Sequence, residues 1–310
     1  STLMRSSAAS DVYKRQIRSQ VLLRYGTRMK NKLLYKLRSG KNPKFIYYSV
    51  NALRLIIPKG IFRLRLQGKL SSLSRRKDKE YIEHRVDYYN KLSGTVQLPS
   101  SAPHLSEHKM SKQKVYFFDT YQYTRWFSDQ FQWGFCPGDV TFVPDYPSIV
   151  KSRPLTDDNV NSIVMKLDKV RHFIFVDDKK AFTEKKNMVI FRGKVKGKPS
   201  RKLFMEMYFH HPMCDLGDVS KNTTDPAEWR TEKKTINEHL DYKFIMALEG
   251  IDVASNLKWV MSSNSIAVMP RPTCETWFME GTLIPNYHYI EIKPDFSDLE
   301  ERLNYYIEHV

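Results

Sequence analysis

From residue 114 onward, short apolar runs alternate with segments of helical periodicity. We predict a strand for each run that is closed by an acid, a glycine or a proline, namely 114–121, 139–144, 172–178, 187–193, 242–250, 265–270 and 287–293. Helices are predicted between them over 158–170, 200–209, 253–262 and 297–308. Continuous apolar runs of this length suit strands buried on both faces of a parallel sheet. The alternation predicts an α/β fold that binds ligands at the carboxyl ends of its strands.

The alternating elements fall into two sets, which predicts two Rossmann-like domains that face a cleft. The first domain is predicted over 91–184, beginning with a polar linker, and the second over 185–310. Residues 17–90 are helical and basic, and we predict that they form an arm. Residues 1–16 lack periodicity and are interpreted as a foreign or artefactual leader outside the fold. The last helical pattern has no C-cap signal, which predicts that the second domain is truncated at its end.

The net charge of +17 is concentrated in the basic arm. Residues 1–80 hold 21 Lys and Arg against three acids, a balance of +18, so the other 230 residues together carry −1. A protein that tracks nucleic acid would be expected to spread positive charge over its body, so we predict no nucleic-acid partner. Nucleic-acid binding by the arm is disfavoured, because the arm shows no zinc, helix-turn-helix or aromatic-stacking signature. Two other interpretations of the arm stay open. It is a solvated helical arm packed loosely on the body, or an interfacial anchor whose residues 17–70 meet an anionic membrane surface.

Three features bear on the cellular compartment. No run approaches the roughly 18 apolar residues that a spanning helix needs, and no signal-peptide pattern is present. Cys136, Cys214 and Cys274 lie far apart and are odd in number, as expected of buried thiols in a reducing compartment. These features predict a cytoplasmic protein, peripheral on the cytoplasmic face of the membrane.

One candidate ligand site lies at the end of the strand 187–193. Arg192 and Gly193 close this strand, and Arg201 follows a lysine-rich loop at the start of a helix with Ser200 as its predicted N-cap. Fixed cations, backbone N–H groups and a helix dipole then converge on one point, which is typical of a diphosphate site. A solvated basic turn is the alternative.

A second candidate site follows the strand 242–250. Glu249 and Gly250 end this strand, and a helix is predicted to begin at Asp252. Ala254 and Ser255 in its first turn are small enough for a ligand to approach the backbone, and Lys258 would share a face with Ala254. The spacing is not GxGxxG, which disfavours a nicotinamide cofactor.

Carboxylates supply the remaining candidates. Glu275 and Glu280 lie among aromatic residues, where one of them could accept hydrogen bonds from ribose or sugar hydroxyls. Asp145 lies on a proline-rich, rigid loop at a strand end. Residues at such positions more often have a role in binding or catalysis than none. Asp177 and Asp178 are adjacent and are interpreted as a turn, so no metal site is predicted and no cofactor is expected.

Four long strings resemble glycosyltransferase family 90, which contains bacterial lipopolysaccharide and capsule-associated transferases and eukaryotic protein O-glucosyl- and O-xylosyltransferases. The strings are FRGK, FVPDYPSIVKSRP, DYKFIMALEGIDVASNLKWVMSSNS and ETWFMEGTLIPNYHYIEIKPDFSDLEERL. The similarity runs from about residue 70 to the end of the sequence and is densest over 139–153 and 239–302. Shared strings of this length are more specific than any short motif.

The resemblance implies a GT-B fold whose C-terminal domain holds a UDP-sugar and whose N-terminal domain presents the acceptor. It implies an inverting, metal-independent transfer. Carried over by position, the resemblance assigns roles to residues that match the family pattern. Arg192 and Arg201 lie near the diphosphate, Glu275 near the nucleotide, and Asp145 is the general base; the donor-side segment comprises Val253, Ala254, Ser255, Asn256, Leu257 and Lys258.

The sequence therefore predicts an enzyme that moves a sugar from a UDP-sugar to a hydroxyl of a lipopolysaccharide, capsule or other surface-glycan acceptor. A glycan or glycolipid is the expected acceptor. The alternative is a non-catalytic glycan- or membrane-binding scaffold that retains the glycosyltransferase fold.

Overall fold

The computed structural model describes residues 39–309 of the 310-residue chain. The leader 1–16 and the first part of the arm, 17–38, lie outside the described residues. Within the described residues, 41–233 and 239–309 form one compact unit, to which the features below belong, except the short helix that begins at Ile236. Ser39, Gly40 and residues 234–238 belong to a second unit, and within it the Ile236 N–H donates to the Ser39 carbonyl.

Helices occupy the described part of the basic arm and recur between the strands. They are α1 (Lys44–Ile56), α2 (Lys59–Ser71), α3 (Lys79–Tyr89), α4 (Lys114–Thr124), α5 (Lys169–His172), α6 (Pro199–Tyr208), α7 (Ile236–His239), α8 (Leu257–Val260) and α9 (Leu299–Glu308). The first three confirm the helical prediction for the described part of the arm. Single 3₁₀ turns connect several elements. No helix within 39–309 is both long enough and apolar enough to cross a bilayer.

The strands form two parallel sheets and one antiparallel pair. They are β1 (Phe135–Cys136), β2 (Ser148–Val150), β3 (Ser152–Pro154), β4 (Ser162–Val164), β5 (Lys186–Gly193), β6 (Cys214–Asp218), β7 (Tyr242–Met246), β8 (Ile266–Met269), β9 (Cys274–Thr276) and β10 (Ile290–Glu291). The larger sheet has the order β10-β8-β7-β5-β6, the smaller has β1-β2-β4, and β3 pairs with β9. The α/β class with parallel sheets is therefore confirmed.

The main core lies against the five-stranded sheet. All five residues of β7 are buried, as expected for a central strand of a parallel sheet covered on both faces. Phe204 and Met205 of α6 and Leu303 of α9 pack in the same cluster as Val189 and Phe244 of the sheet. The helical period of α6 and α9 brings these apolar side chains onto the sheet, so the β5-α6-β6 unit is anchored by burial.

A second, smaller core joins the three-stranded sheet to the C-terminal half of the chain. Val150 and Val164 of this sheet cluster with Tyr89 of α3, and Trp277 packs against them. The Tyr89 and Trp277 rings are stacked with their centroids 4.1 Å apart. The antiparallel pairing of β3 with β9 adds a backbone connection between the same two parts of the chain.

Two buried ion pairs reinforce this connection. The side chain of Arg153 is fully buried, and its guanidinium lies 2.7 Å from the Glu275 carboxylate. The Lys151 ammonium lies 2.5 Å from the buried Asp252 carboxylate and also pairs with Asp139. Buried charges are tolerated only when they are paired, so each cation constrains the position of its acid.

Three predicted strands are wrong. The run 114–121 belongs to α4, where residues 116–120 are all buried, and a fully buried helix has the same continuous apolar pattern as a buried strand. Residues 139–144 are irregular, with the Val140 N–H bonded to the Ser152 hydroxyl. Residues 173–178 are also irregular, because side chains such as Ser262, which accepts from the Val176 N–H, replace strand partners.

The predicted helices were partly correct. Helices α6 and α9 confirm the predictions 200–209 and 297–308, whereas 158–170 is wrong because β4 occupies its middle. β-Branched Ile163 and Val164 favour a strand there, and β4 pairs with β2 in register. The predicted helix 253–262 shortens to α8, and the residues before it form turns. The strands 187–193 and 265–270 are confirmed as β5 and β8, and the predicted strand 242–250 shortens to β7, which ends at Met246.

The Arg153–Glu275 pair predicts an asymmetric effect on stability. Arg153→Met should lower the free energy of unfolding by about 3–5 kcal/mol, because Glu275 would remain buried without its cation. The double variant Arg153→Met/Glu275→Gln should recover part of that loss. Urea denaturation followed by circular dichroism measures both. The control is Lys79→Met, which breaks an exposed pair with Glu83 and should cost less than about 1 kcal/mol.

Candidate functional site

A cavity of about 340 Å³ opens at the carboxyl ends of β7 and β8. This is the edge at which open parallel sheets bind ligands, and the volume is typical of small-molecule sites. Its wall combines the turn after β7, the turn after β8 and the start of α6. The lining residues are Ser200, Ala247, Leu248, Glu249, Gly250, Ile251, Val253, Ala254, Leu257, Met269, Pro270, Arg271, Pro272, Thr273, Cys274, Glu280 and Pro294. Four predicted site residues, Glu249, Gly250, Val253 and Ala254, are therefore brought together here.

Arg201 shapes the turn after β7 from the first half of α6. Its guanidinium donates to the Leu248 carbonyl at 2.7 Å, to the Glu249 carbonyl at 3.0 Å and to the Lys194 carbonyl at 3.0 Å. A Cβ at Gly250 would lie 3.3 Å from the Arg201 Nη2 atom, so a glycine lets the turn pass close to the guanidinium. Burial lowers the pKa of Arg201, although the side chain remains a cation. Arg201 thus supports the cavity wall through backbone contacts.

Glu249 links the two turns that line the cavity. Its carboxylate accepts from the Thr273 hydroxyl at 2.6 Å and from the Thr273 N–H at 3.0 Å. Burial raises the pKa of the Glu249 carboxyl, and the two bonds from Thr273 counteract that shift. The cavity therefore contains a half-buried acid whose position is set by the turn after β8.

The segment after Gly250 is a series of turns, so Lys258 does not share a helical face with Ala254 as predicted. The Ser255 side chain is exposed, and the Asn256 side-chain amide donates to the Met246 carbonyl at 3.0 Å. Lys258 is buried and pairs with Glu280, a cavity-lining acid. Asn256 holds this segment against the end of β7, and Lys258 ties it to Glu280.

Arg192 and Gly193 lie at the end of β5, outside the cavity lining. The Arg192 guanidinium pairs with the Asp215 carboxylate and donates to the Asp215 carbonyl at 2.7 Å. Gly193 packs under the Phe191 ring, where a Cβ would meet the ring at 2.4 Å. Helix α6 begins at Pro199 with Lys198 as its N-cap, so Ser200 lies in the first turn and not at the predicted N-cap position.

Glu275 lies on β9, next to the lining residue Cys274. Its carboxylate is occupied by Arg153 and by the Tyr88 hydroxyl, which donates to it. Burial is the largest cause that raises the pKa of Tyr88, so this hydroxyl keeps its proton and donates to Glu275. A nucleotide contact at Glu275 remains a prediction.

Asp145 is exposed on the loop between β1 and β2. No residue within 39–309 forms an ion pair or hydrogen bond with its carboxylate. The backbone around it is held on both sides, because the Asn161 side chain donates to the Pro144 carbonyl at 3.0 Å and the Ser148 hydroxyl donates to the Tyr146 carbonyl at 3.0 Å. The loop thus presents a solvated carboxylate from a fixed backbone.

Lys151 connects the Asp145 loop to the cavity wall. It lies six positions after Asp145, and its ammonium pairs with Asp139 on the same loop and with Asp252 in the turn after β7. Asp252 is flanked by the lining residues Ile251 and Val253. This buried cation lies between β2 and β3, in the string FVPDYPSIVKSRP.

Asp177 and Asp178 lie in an irregular segment where no turn is assigned, and both carboxylates are paired with lysines. Asp178 lies 2.8 Å from the Lys185 ammonium, and Asp177 lies 2.8 Å from the Lys179 ammonium. Within the described range, no group of three or more His, Cys, Asp or Glu side chains has an arrangement that could hold a metal ion.

Sequence reasoning missed the turn after β8 as part of the site. Met269, Pro270, Arg271 and Pro272 all line the cavity. The signal was the pair of prolines on either side of Arg271 directly after a buried strand. Arg271 is the basic side chain among the lining residues, and it lies 3.2 Å from the Glu291 carboxylate at an exposed position.

Comparison with known proteins identifies the family. The family model for glycosyl transferase family 90 matches residues 155–310, the half of the chain that contains the cavity. The chain is also 40% identical over 226 residues to the O-glucosyltransferase LpsA of Dichelobacter nodosus, a match that covers 73% of this chain and 70% of that protein. A family match over half of the chain, with a relative of this similarity over most of it, shows that this protein belongs to glycosyl transferase family 90 and is a glycosyltransferase.

Proposed function

We propose that the protein transfers a sugar from a UDP-sugar, bound in the cavity beyond β7 and β8, to a hydroxyl of a surface glycan. The observation that carries the proposal is the position of the cavity, at the strand ends of the parallel sheet and within the part matched by the family. The name of the relative from Dichelobacter nodosus indicates O-linked transfer of glucose, so UDP-glucose is the first donor to test.

Two features of the cavity suit the diphosphate and the nucleotide of the donor. The first turn of α6, a helix of ten residues, reaches the cavity at Ser200, and a helix N-terminus attracts anions through its free N–H groups and its dipole. Arg271 adds a cation to the opposite turn. Arg192 and Arg201, which the sequence assigned to the diphosphate, are proposed to contribute through the backbone carbonyls to which they donate.

We assign the general base to Asp145. An inverting transfer needs a carboxylate that takes the proton of the acceptor hydroxyl while that oxygen attacks the anomeric carbon opposite UDP. The carboxylate is exposed on a fixed loop, and the Lys151–Asp252 pair ties that loop to the donor turn. The proposed arrangement is a GT-B enzyme whose acceptor side is 91–184 and whose donor side is 185–310.

The proposed acceptor is a lipopolysaccharide or capsule precursor, which is consistent with a location on the cytoplasmic face of an anionic membrane. Residues 1–80 carry a balance of +18, which favours such a surface. The transfer itself is proposed to need neither a metal nor another cofactor.

The first prediction concerns the donor cavity. UDP should raise the melting temperature of the protein, and Ala254→Leu should reduce or abolish that rise, because the larger side chain would occupy space beside the turn after β7. Differential scanning fluorimetry with and without UDP measures the shift. Ala52→Leu is the matched control, since Ala52 is exposed on α1. Equal UDP shifts in the two variants would contradict the proposed site.

The second prediction concerns the base. Asp145→Asn should lower turnover by about 10²-fold or more while UDP still raises the melting temperature. The exposed acid Asp157, changed to Asn, serves as the control and should keep turnover near the wild-type rate. Steady-state transfer assays with UDP-glucose measure the effect. Full turnover in Asp145→Asn would show that the base lies elsewhere.

The third prediction concerns metal dependence. Transfer or donor hydrolysis should persist in excess EDTA, because the helix N-terminus and fixed cations are proposed to neutralise the diphosphate. The assay compares initial rates before and after chelation and after the addition of manganese. Activity that is lost in EDTA and restored by manganese would overturn the metal-independent mechanism.

A further inference from the structure

Helix α1 has its apolar face turned away from the protein body. Six large apolar side chains on it or directly after it are more than one-third exposed, namely Phe45, Ile46, Val50, Leu53, Ile56 and Ile57. At 100° per residue these positions fall within one arc of the helix. A surface helix of a globular protein normally turns such an arc towards the core.

The polar face of α1 makes the contacts with the body instead. The Tyr47 hydroxyl donates to the buried Asp119 carboxylate at 2.7 Å, and the Gln122 side chain donates to the Asn51 side chain at 3.0 Å. Asn51 is buried although it is polar. Directional hydrogen bonds to α4 therefore fix the rotation of α1 and keep its apolar arc outside.

The surroundings of this arc are cationic. Residues 39–77 contain ten Lys and Arg and no Asp or Glu. Lys59 and Arg63 of α2 are held by Asp129. Lys44, Arg65 and Lys69 are exposed and form no ion pair with any residue in the described range. Leu64 of α2 is a further exposed apolar side chain, with 88% of its surface accessible.

We infer that α1 lies in the headgroup region of an anionic membrane with its apolar arc in the acyl boundary. The acyl boundary would bury the exposed apolar side chains, and the anionic headgroups would attract the uncompensated cations. Both interactions contribute to the free energy of membrane binding. A second copy of the chain fits this surface less well. A symmetric contact would bring two cationic surfaces together, each formed by a segment, 39–77, that contains no acid. The inference rests on the membrane location proposed above and names the element that inserts.

The test uses the full chain and vesicles of phosphatidylglycerol and phosphatidylcholine in a flotation assay. Leu53→Ser/Ile56→Ser should weaken binding by about 10-fold or more, because two apolar side chains are lost from the acyl boundary. The control Phe175→Ser/Ile284→Ser changes two side chains of similar exposure (64% and 55%) elsewhere and should bind as the wild type does. All four changed residues are exposed, so folding should be preserved.

Salt separates insertion from charge attraction. At about 0.5 M NaCl the attraction of the basic residues is largely screened, and the difference between the two double variants should remain. Arg65→Gln/Lys69→Gln should weaken binding mainly at low salt. Equal flotation of Leu53→Ser/Ile56→Ser and its control would overturn the inference.

Two further measurements make the result unambiguous. Light scattering after size exclusion should give the same mass for the wild type and for Leu53→Ser/Ile56→Ser, whereas a dimer that this change dissociates would assign the arc to a second copy. The shift of melting temperature with UDP should be unchanged in the α1 variants. Loss of vesicle binding with an intact UDP shift supports the insertion of α1. An absent UDP shift in the wild type would contradict the donor proposal and would leave the inference about α1 unaffected.

Discussion

Buried ion pairs between residues 151–153 and the segment 252–275 are the constraint on which the rest of the structure depends. Arg153 and Glu275 are 122 positions apart and almost fully inaccessible, and Lys151 and Asp252 are nearly as deeply buried. A buried charge without its partner costs several kcal/mol, so separation of these segments would be strongly opposed. The β3–β9 pairing and the stacking of Tyr89 on Trp277 depend on the same close approach.

This constraint has a direct consequence for the proposed chemistry. In-line displacement needs the base and the donor on opposite sides of the reacting carbon and at a fixed separation. The loop of Asp145 and the turn of the cavity wall share Lys151 as a common partner, so they cannot move independently without breaking a buried pair. The charges that hold the two segments together are therefore suited to positioning and not to direct contact with substrate.

The cations of the proposed donor side are also suited to positioning. Arg192, Arg201 and Lys258 are each engaged by acids or carbonyls of the protein. Arg201 fixes the backbone of the turn after β7 at the carboxyl edge of the sheet. The cavity wall is lined mostly by small or apolar residues. Such a wall suits a nucleotide whose base and ribose need shape complementarity and whose phosphates need N–H groups.

The local sequence determined the α/β class, the strands β5, β7 and β8, the helices α6 and α9, and the turn after β7, which lines the cavity. These features have strong local signals, because continuous apolar runs and helical periodicity depend on neighbouring residues only. The family could also be identified from the sequence, since long shared strings preserve both core and site residues.

Tertiary structure alone decided which charged residues are paired, how α1 is rotated and whether short apolar runs become strands. Arg153 and Glu275 give no local sign that they meet, because an ion pair depends on long-range packing. The run at 114–121 folds as a helix. Because residues 116–120 are all buried, its continuous apolar sequence pattern is the same as that of a buried strand. The outward turn of the apolar arc of α1 follows from the hydrogen bonds of Tyr47 and Asn51 to α4, and those partners are 71 and 72 positions away.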